Sequence, residues 1–417
     1  MKFSIITPCN STQYLDELYE SIVSQTHSDW EWILYLNNMP FDIMRDVRSK
    51  YTDDRIKFFF SAEHYDSVGK VKHDAFRLGT GDVLCEVDHD DMLVNTCLER
   101  LNEVYEQDAS VGFVYSANAV LDIPNAEDFI PYAELCGWRY GKYMYNGREL
   151  YAMKPFQPSA SSMSIIHFQP DHIRTWRKEA YDSIGGHDES LTILDDQDLL
   201  SRTYLNTSCR CIDEVLYIYR FHQNNTFKQK SDDIAKIAKP MQVKYMEQLV
   251  LRELAKDSSL IHAVLGYGTD APEDDGIRTV DLSTCNDGTL PFDDDSVGYI
   301  CAVGALEYMP DPMQAMLEIY RVLHDDGYVY IEVPSTDGRG AFQDPMHRSL
   351  WNINSFLYYT RDAYNKMLRN RGYRIAFREI FSDNVVDNDC GTVTTRIWLQ
   401  AVKSSSYRCG ICDIVQM

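Results

Sequence analysis

The chain has 417 residues, with 40 Lys and Arg against 64 Asp and Glu and a net charge of −24. That length exceeds one ordinary core and sets an expectation of about two or three domains. Residues 1–250 hold 25 basic and 39 acidic groups and residues 251–417 hold 15 and 25, so no basic stripe is available to a phosphate backbone, which argues against nucleic acid as the main partner.

Hydrophobic residues make up 44% and charged residues 25%, the balance of a soluble globular chain. No apolar run approaches the ~18–20 residues of a membrane span. The opening Lys2–Pro8 has no cleavage-site pattern and reads as a first strand. Gln13–Ser24 carries Tyr14, Leu15, Leu18, Ile22 and Val23 at helical spacing, with Ser11 or Thr12 as the expected cap. Strands are expected at Glu31–Leu36, Ile56–Phe60, Asp82–Val87 and Val111–Ser116, and helices at Phe41–Lys50 and Val68–Leu78. This βα alternation predicts a parallel sheet with helices on both faces. Residues 118–170 lose the rhythm and read as an irregular insert.

A Lys-rich, helix-prone stretch at 227–257 reads as a linker. A second α/β pattern follows, with apolar strands at Leu260–Leu265, Tyr299–Val303, Tyr328–Val333 and Val393–Val402. Helices are expected at Pro312–Leu323 and Thr360–Arg371. The domain expectation is therefore 1–226, a linker over 227–257, 258–403, and a tail over 404–417. The eleven Cys are scattered, and Cys85, Cys209, Cys211 and Cys301 lie in apolar runs. With no secretory signal they read as reduced thiols of a cytoplasmic protein, in which the sequons at Asn10, Asn206 and Asn224 carry no meaning. The tail's Cys409 and Cys412 lack the second ligand pair that structural zinc needs.

Three local patterns carry chemistry. Cys85-Glu86-Val87-Asp88-His89-Asp90-Asp91 runs an apolar strand into a carboxylate cluster. Such carboxylates repel one another unless a cation sits among them, and hard divalent ions prefer these ligands. An acidic turn capping the next helix has the same composition. Gly185-Gly186-His187 precedes Asp195-Asp196-Gln197-Asp198 at a helix start. There Asp196 is either a general base or a first-turn acid favoured by the helix dipole. Tyr219-Arg220-Phe221-His222 then offers an imidazole as a metal ligand or as a structural group.

Taken in order, Ile5–Pro8, Glu31–Leu34, Gly69–Phe76, Gly81–Asp91, Gly185–His187, Asp195-Asp196 and Arg220-x-His222-x-x-Asn225 resemble the family 2 glycosyltransferases of the GT-A fold. The resemblance covers residues 1–226 and implies a nucleotide-sugar-binding, Rossmann-like α/β domain. It implies that Asp88 faces the donor and that Asp90 and His222 hold Mn²⁺ or Mg²⁺ at the donor diphosphate. Asp196, with Asp195 beside it, would deprotonate the acceptor hydroxyl for inverting transfer. Thr7 and Pro8 would border the nucleobase, and Lys72 would join them at the donor. Asn37 and Asn38 stand where many members carry two Asp, and an amide can both donate to and accept from a base edge. Gly186, His187, His172 and Trp176 would line the acceptor site, the Trp stacking on a sugar ring.

Residues 258–403 resemble class I S-adenosylmethionine-dependent methyltransferases. The likeness rests on Leu290–Val297, Ala305–Pro312 and Glu318–Tyr328, with Asp344–Arg348 and Ser355-Phe356 resembling a compact subgroup. Gly266 and Gly268 would form the cofactor turn, and Asp281 would bond the ribose. Only twelve residues separate Gly268 from Asp281, so the domain is expected to be smaller than its family norm. Either Asp281 ends the second strand, or it belongs to a later strand and an earlier unit is lost. The domain is then either a compact methyltransferase acting on the sugar product or a degenerate relative kept for packing, dimerisation or acceptor binding. The expected protein is a glycosyltransferase that uses a nucleotide sugar and a glycan acceptor, with a homo-oligomer compatible. The other readings are sugar O-methylation as the main output and a non-catalytic glycan-binding scaffold.

Overall fold

The computed structural model describes residues 1–61, 65, 67–122, 139–165, 170–222, 231–268, 276–285 and 288–403. Asn224 and Asn225, most of the stretch between Gly268 and Asp281, and the tail with Cys409 and Cys412 lie outside the described residues. The chain divides into two compact units, Met1–Tyr245 and the part from Met246 onward. Among the described residues no helix is long and apolar enough to cross a membrane.

The first unit runs β1 Phe3–Cys9, α1 Leu15–Val23, β2 Trp30–Leu36, α2 Phe41–Lys50, β3 Ile56–Phe60, α3 Val68–Phe76, β4 Val83–Glu86, β5 Met92–Leu93 and α4 Cys97–Gln107. It continues with β6 Val111–Leu121, β7 Arg139–Tyr145, β8 Arg148–Lys154, α5 Ala160–Ile165, β9 Arg174–Arg177, α6 Lys178–Ser183, α7 Asp195–Asn206 and β10 Ser208–Arg220. The sheet order is β3-β2-β1-β4-β9-β6-β10-β5, with the β7–β8 hairpin attached to β6. Every residue of β2 is buried, as the continuous run Trp30–Leu36 requires of a strand covered on both faces. Helix α1 packs Leu15, Leu18 and Ile22, one face of a helical repeat, into this core.

The sheet is mixed rather than parallel throughout. Strand β9 runs antiparallel between β4 and β6, and β5 runs antiparallel to β10. Strands β1, β2, β3, β4, β6 and β10 still share one direction, so their carboxyl ends form one edge. The irregular stretch at 118–170 is partly regular. Strand β6 continues to Leu121, and Asn146 and Gly147, both at positive φ, turn β7 into β8. Helix α1 starts two residues later than expected, with Tyr14 at its cap and no side-chain capping bond.

Helix α8, Ser231–Leu254, contains Pro240. The second unit then forms β11 Ile261–Gly266, β12 Ile277–Asp281, β13 Val297–Val303, α9 Pro312–Val322, β14 Leu323–Pro334, α10 Gly340–Gln343, α11 Leu357–Thr360, α12 Asp362–Asn370, β15 Phe377–Asp387 and β16 Thr392–Ala401. Its sheet order is β12-β11-β13-β14-β16-β15, with β11 to β14 parallel and the last two antiparallel. Asp311 caps α9 by accepting from Met313 N and Gln314 N (2.9 and 3.2 Å), with Pro312 in the first turn. Gly266 pairs in register with Asp281, so Asp281 ends the strand beside β11. Between β12 and β13 the described residues hold only the short 3₁₀ turn Leu282–Thr284.

Three residues expected at an acceptor surface are core residues. Trp176 on β9 is fully buried; its ring lies 5.0 Å from that of Phe113 and its Nε1 donates to Thr203 Oγ1 (2.9 Å). It shares its strand face with Arg174 but sits two residues further from the sheet edge, packed under α7. Gly186, at φ +65°, lies so close to the Tyr181 ring that a Cβ would sit 2.6 Å from it. His187 is buried against Phe76; its backbone N–H donates to the Tyr181 hydroxyl (3.0 Å), which lies 2.8 Å from its Nδ1.

Burial holds the His187 pKa down to about 3, against the pull of Glu86. The native imidazole stays neutral, whereas the unfolded chain takes up a proton near the ordinary value of about 6.5. The unfolded state therefore binds more protons between these values, and stability falls as pH falls through that window. Between pH 6.5 and 5 this group is expected to remove about 2 kcal/mol of unfolding free energy. Urea titrations of wild type and His187→Gln at both pH values check this: the loss on acidification should be smaller in the variant.

Candidate active site at the carboxyl ends of the strands

Strand β4 ends at Glu86, and the loop that follows carries Asp88, His89, Asp90 and Asp91 to the common sheet edge, where open α/β sheets bind ligands. The end of β10 fastens this loop. The Tyr217 hydroxyl accepts from Asp88 N (3.1 Å) and donates to Asp91 Oδ2 (2.7 Å). Arg220 N donates to Asp91 Oδ1 (2.7 Å), and Arg220 Nε donates to the Asp90 carbonyl (3.0 Å). Asp91 is thus the buried member of the cluster. Burial, with Asp90 and Asp88 nearby, pushes its pKa well up despite those two bonds. Arg220 itself lies over the Tyr14 ring, 4.2 Å from its centroid.

The structure brings Asp90 and His222 together: Nε2 lies 2.8 Å from Asp90 Oδ2. The His222 ring stacks on Tyr14 at 5.6 Å between centroids. His172 stands on the other side of the loop, stacked on Tyr217 at 4.7 Å, with Nε2 3.8 Å from Asp88 Oδ2. Asp88, Asp91 and His172 offer ligand atoms that all lie within 4.8 Å of one another. A half-exposed carboxylate, a buried one and an imidazole gathered at one loop suit a hard divalent cation. His172 therefore belongs to the carboxylate loop rather than to a separate acceptor wall.

A second cluster lies beside the first. Leu194, at φ +59°, starts α7 and presents Asp195 and Asp196. Asp196 Oδ2 is 3.1 Å from Arg174 Nη1, and its Oδ1 accepts from Gln197 N (2.8 Å). Asp195 Oδ2 is 3.5 Å from Lys72 Nζ and 3.8 Å from His187 Nε2. Lys72, expected at the donor, directs its ammonium to Glu86 Oε1 (2.6 Å) and Asp195, and so belongs to this buried network. Burial pushes the Asp195 pKa up, with Asp196 and Glu86 adding to the effect and Lys72 opposing it, and the result is about 6. Burial also raises that of Asp196, but Arg174 and Lys72 outweigh it and hold that carboxyl below the ordinary range.

Neighbouring elements fix these groups in place. Helix α3, which carries Lys72, seats Gly69 against the backbone before α7: a Cβ there would lie 2.1 Å from the Asp188 carbonyl oxygen. Helix α7 is held from α8 through Asp198 Oδ1, which accepts from Lys244 Nζ (2.8 Å) and Tyr245 OH (2.6 Å). Glu86, Arg174, Tyr217 and Arg220 are therefore working parts that the sequence reading did not single out. A charged residue closing an apolar strand was the signal available for Glu86.

On the donor side, Thr7 is buried and its Oγ1 accepts from Trp32 Nε1 (3.0 Å), so its side chain faces the core and not a base. Pro8 is half-buried at the same strand end. Asn37 is buried beside it, and its Oδ1 has no hydrogen-bond partner among the described residues. Exposed Asn38 exchanges two hydrogen bonds with the Tyr65 backbone (3.0 and 3.2 Å). In the second unit, Asp281 Oδ1 accepts from Gly268 N (2.8 Å) and Ser283 N (2.9 Å), and Tyr267 stacks on Tyr308 at 4.5 Å.

The Glycosyl transferase family 2 model matches residues 4–185, and a methyltransferase domain model matches residues 247–331. The chain is 24% identical to chondroitin synthase of Escherichia coli over 233 residues, covering 55% of this chain and 30% of that protein. It is 33% identical to an uncharacterized glycosyltransferase of Nostoc sp. over 132 residues, covering 31% of this chain and 39% of that one. The chain thus spans about a third of the length of these curated relatives. Among solved structures, S. aureus TarS residues 1–349 align with a TM-score of 0.43 and 14% identity, over 61% of this chain and 72% of that one. The chain carries a glycosyl transferase family 2 domain over residues 4–185, followed by a methyltransferase-like domain.

Proposed function

We propose that the chain is an inverting, metal-dependent glycosyltransferase that moves a sugar from a nucleotide-diphosphate sugar to a glycan acceptor. The observation that carries this reading is the pairing of Asp90 with His222 (2.8 Å) at the sheet edge, beside the separate carboxylate pair on α7. Inverting displacement needs both functions. The diphosphate must leave with its charge neutralised, and the acceptor hydroxyl must lose a proton as it attacks the anomeric carbon. Asp90 and His222, with Asp88, would hold Mn²⁺ or Mg²⁺, which supplies that neutralising charge. Asp196, whose carboxyl Arg174 and Lys72 hold below the ordinary range, is the proton acceptor. Asp195, with its raised pKa, stays by Lys72 and is a supporting residue. Asn37 offers an unpaired amide oxygen to the donor base. The domain boundaries proposed are those of the sequence, with the glycosyltransferase part drawing Lys244 and Tyr245 of the linker helix into its fold. The glycan product and a cytoplasmic site of action are part of the same proposal.

For the second domain, the residues expected to hold S-adenosylmethionine serve their own loop. Asp281 caps Gly268 and Ser283, and Tyr267 stacks against Tyr308 at the strand ends. This supports the degenerate reading, and no methyl-transfer step is assigned to these residues.

Four outcomes are expected. A thermal-shift screen of UDP, GDP, CDP and ADP with Mn²⁺ should select one nucleotide, which at a hundredfold excess over its Kd adds about 2.7 kcal/mol of stability. Asp90→Ala should lose that response and all transfer while keeping its circular dichroism; unchanged transfer refutes the metal assignment. Asp196→Asn should keep the nucleotide response and lose about 10²–10⁴-fold in kcat. Calorimetric titration of the full chain with S-adenosylmethionine should show no stoichiometric heat, and stoichiometric binding would sink the degenerate reading.

A further inference from the structure

Beneath the carboxylate pair lies a buried cation that sugar transfer does not itself require. Arg174, at the start of β9, is 2% exposed. Its Nη1 lies 3.1 Å from Asp196 Oδ2 and 3.8 Å from Glu86 Oε2, and its Nε donates to the Pro170 carbonyl (3.0 Å). A guanidinium so removed from water persists only when paired. The groups facing Asp196 are Arg174 on β9, Lys72 on α3, Glu86 on β4, its neighbour Asp195 and, further off, His187. Two cations thus face three carboxylates. The excess negative charge falls on Asp195, which lies nearer Lys72, and Arg174 is committed to Asp196. With Gln197 N on the other oxygen, the Asp196 carboxylate is held at both atoms.

We propose that Arg174 is a positioning residue for sugar transfer: its buried guanidinium fixes the Asp196 carboxylate and keeps it anionic to accept the acceptor's proton. In that step the acceptor oxygen bonds to the anomeric carbon as the bond to the diphosphate oxygen breaks. The hydroxyl proton goes to Asp196, and the electron pair leaves on the diphosphate. An Arg-paired carboxylate is a weak base, so it takes the proton in concert with bond formation rather than beforehand. The inference rests on the reading of Asp196 as the base.

The test compares Arg174→Gln, Arg174→Lys and Asp196→Asn in the full chain. The Asp196 carboxyl is followed by ¹³C NMR, assigned by the signal lost in Asp196→Asn, which requires no substrate. In Arg174→Gln it should titrate higher by about one pH unit or more. Release of nucleoside diphosphate from the UDP- or GDP-sugar should fall about a hundredfold in kcat, with its acid limb moved in the same direction. Arg174→Lys should return the limb to its place without restoring full kcat, because an ammonium lacks the guanidinium fork. An unmoved Asp196 titration, or an unchanged kcat, in folded Arg174→Gln overturns the inference. Should that variant not fold, wild-type kcat in Arg174→Lys overturns it. Wild-type transfer in Asp196→Asn brings down the base reading itself. Loss there, with both Arg174 variants behaving as wild type, brings down this inference alone.

Discussion

The glycosyltransferase domain depends on one buried arrangement of charge: Lys72 and Arg174 set among Glu86, Asp195 and Asp196. These residues come from α3, β4, β9 and the start of α7, and their contacts run from 2.6 to 3.8 Å. Each charge removed from water requires an opposite charge beside it. Moving any one of these elements would therefore strand a charge on another. The constraint explains why β9 runs against its neighbours. An antiparallel strand between β4 and β6 brings Arg174 into register with Glu86. It also brings Arg174 to Tyr115 on its other side, with Trp176 facing the interior.

The carboxylate loop is built on a different principle. Its geometry comes from hydrogen bonds donated by the end of β10, and its buried acid, Asp91, acts as the acceptor that ties the two segments together. This leaves Asp88 and Asp90 half-exposed at the edge. Asp91 is bonded at both oxygens, and the other two present their carboxylates toward the edge. The three share a short stretch of sequence, and burial assigns their roles.

Much of this was legible in the chain. The strand-loop pattern before Asp88 and the paired acids before α7 are local features, and local sequence carries them. The pairings between Glu86 and Arg174, and between Asp90 and His222, are long-range, so their partners become visible only in the fold. Trp176 shows the limit most sharply. It shares a strand face with Arg174, and only the register, which sets it against Leu84 rather than Glu86, places it below the site. The hairpin at Asn146-Gly147 carried a readable turn signal inside a stretch dominated by Tyr and charged residues. Strand β15 lacked apolar alternation, with Val385 and Val386 both exposed, and its pairing with β16 defines it. In the second unit Asp281 ends the strand directly beside β11, the first of the two placements the spacing left open.

The seat of α3 has a consequence of its own. At Gly69 the helix backbone touches the backbone before α7, and its amide donates to the Leu191 carbonyl (3.0 Å). The separation of the α3 backbone, which carries Lys72, from the backbone leading into α7 is thereby set by main chain against main chain. Residues around the nucleotide and sugar could be exchanged to alter specificity without disturbing that spacing. The glycine works as a mechanical stop, so a redesign of this site has freedom in its lining and none at this seat.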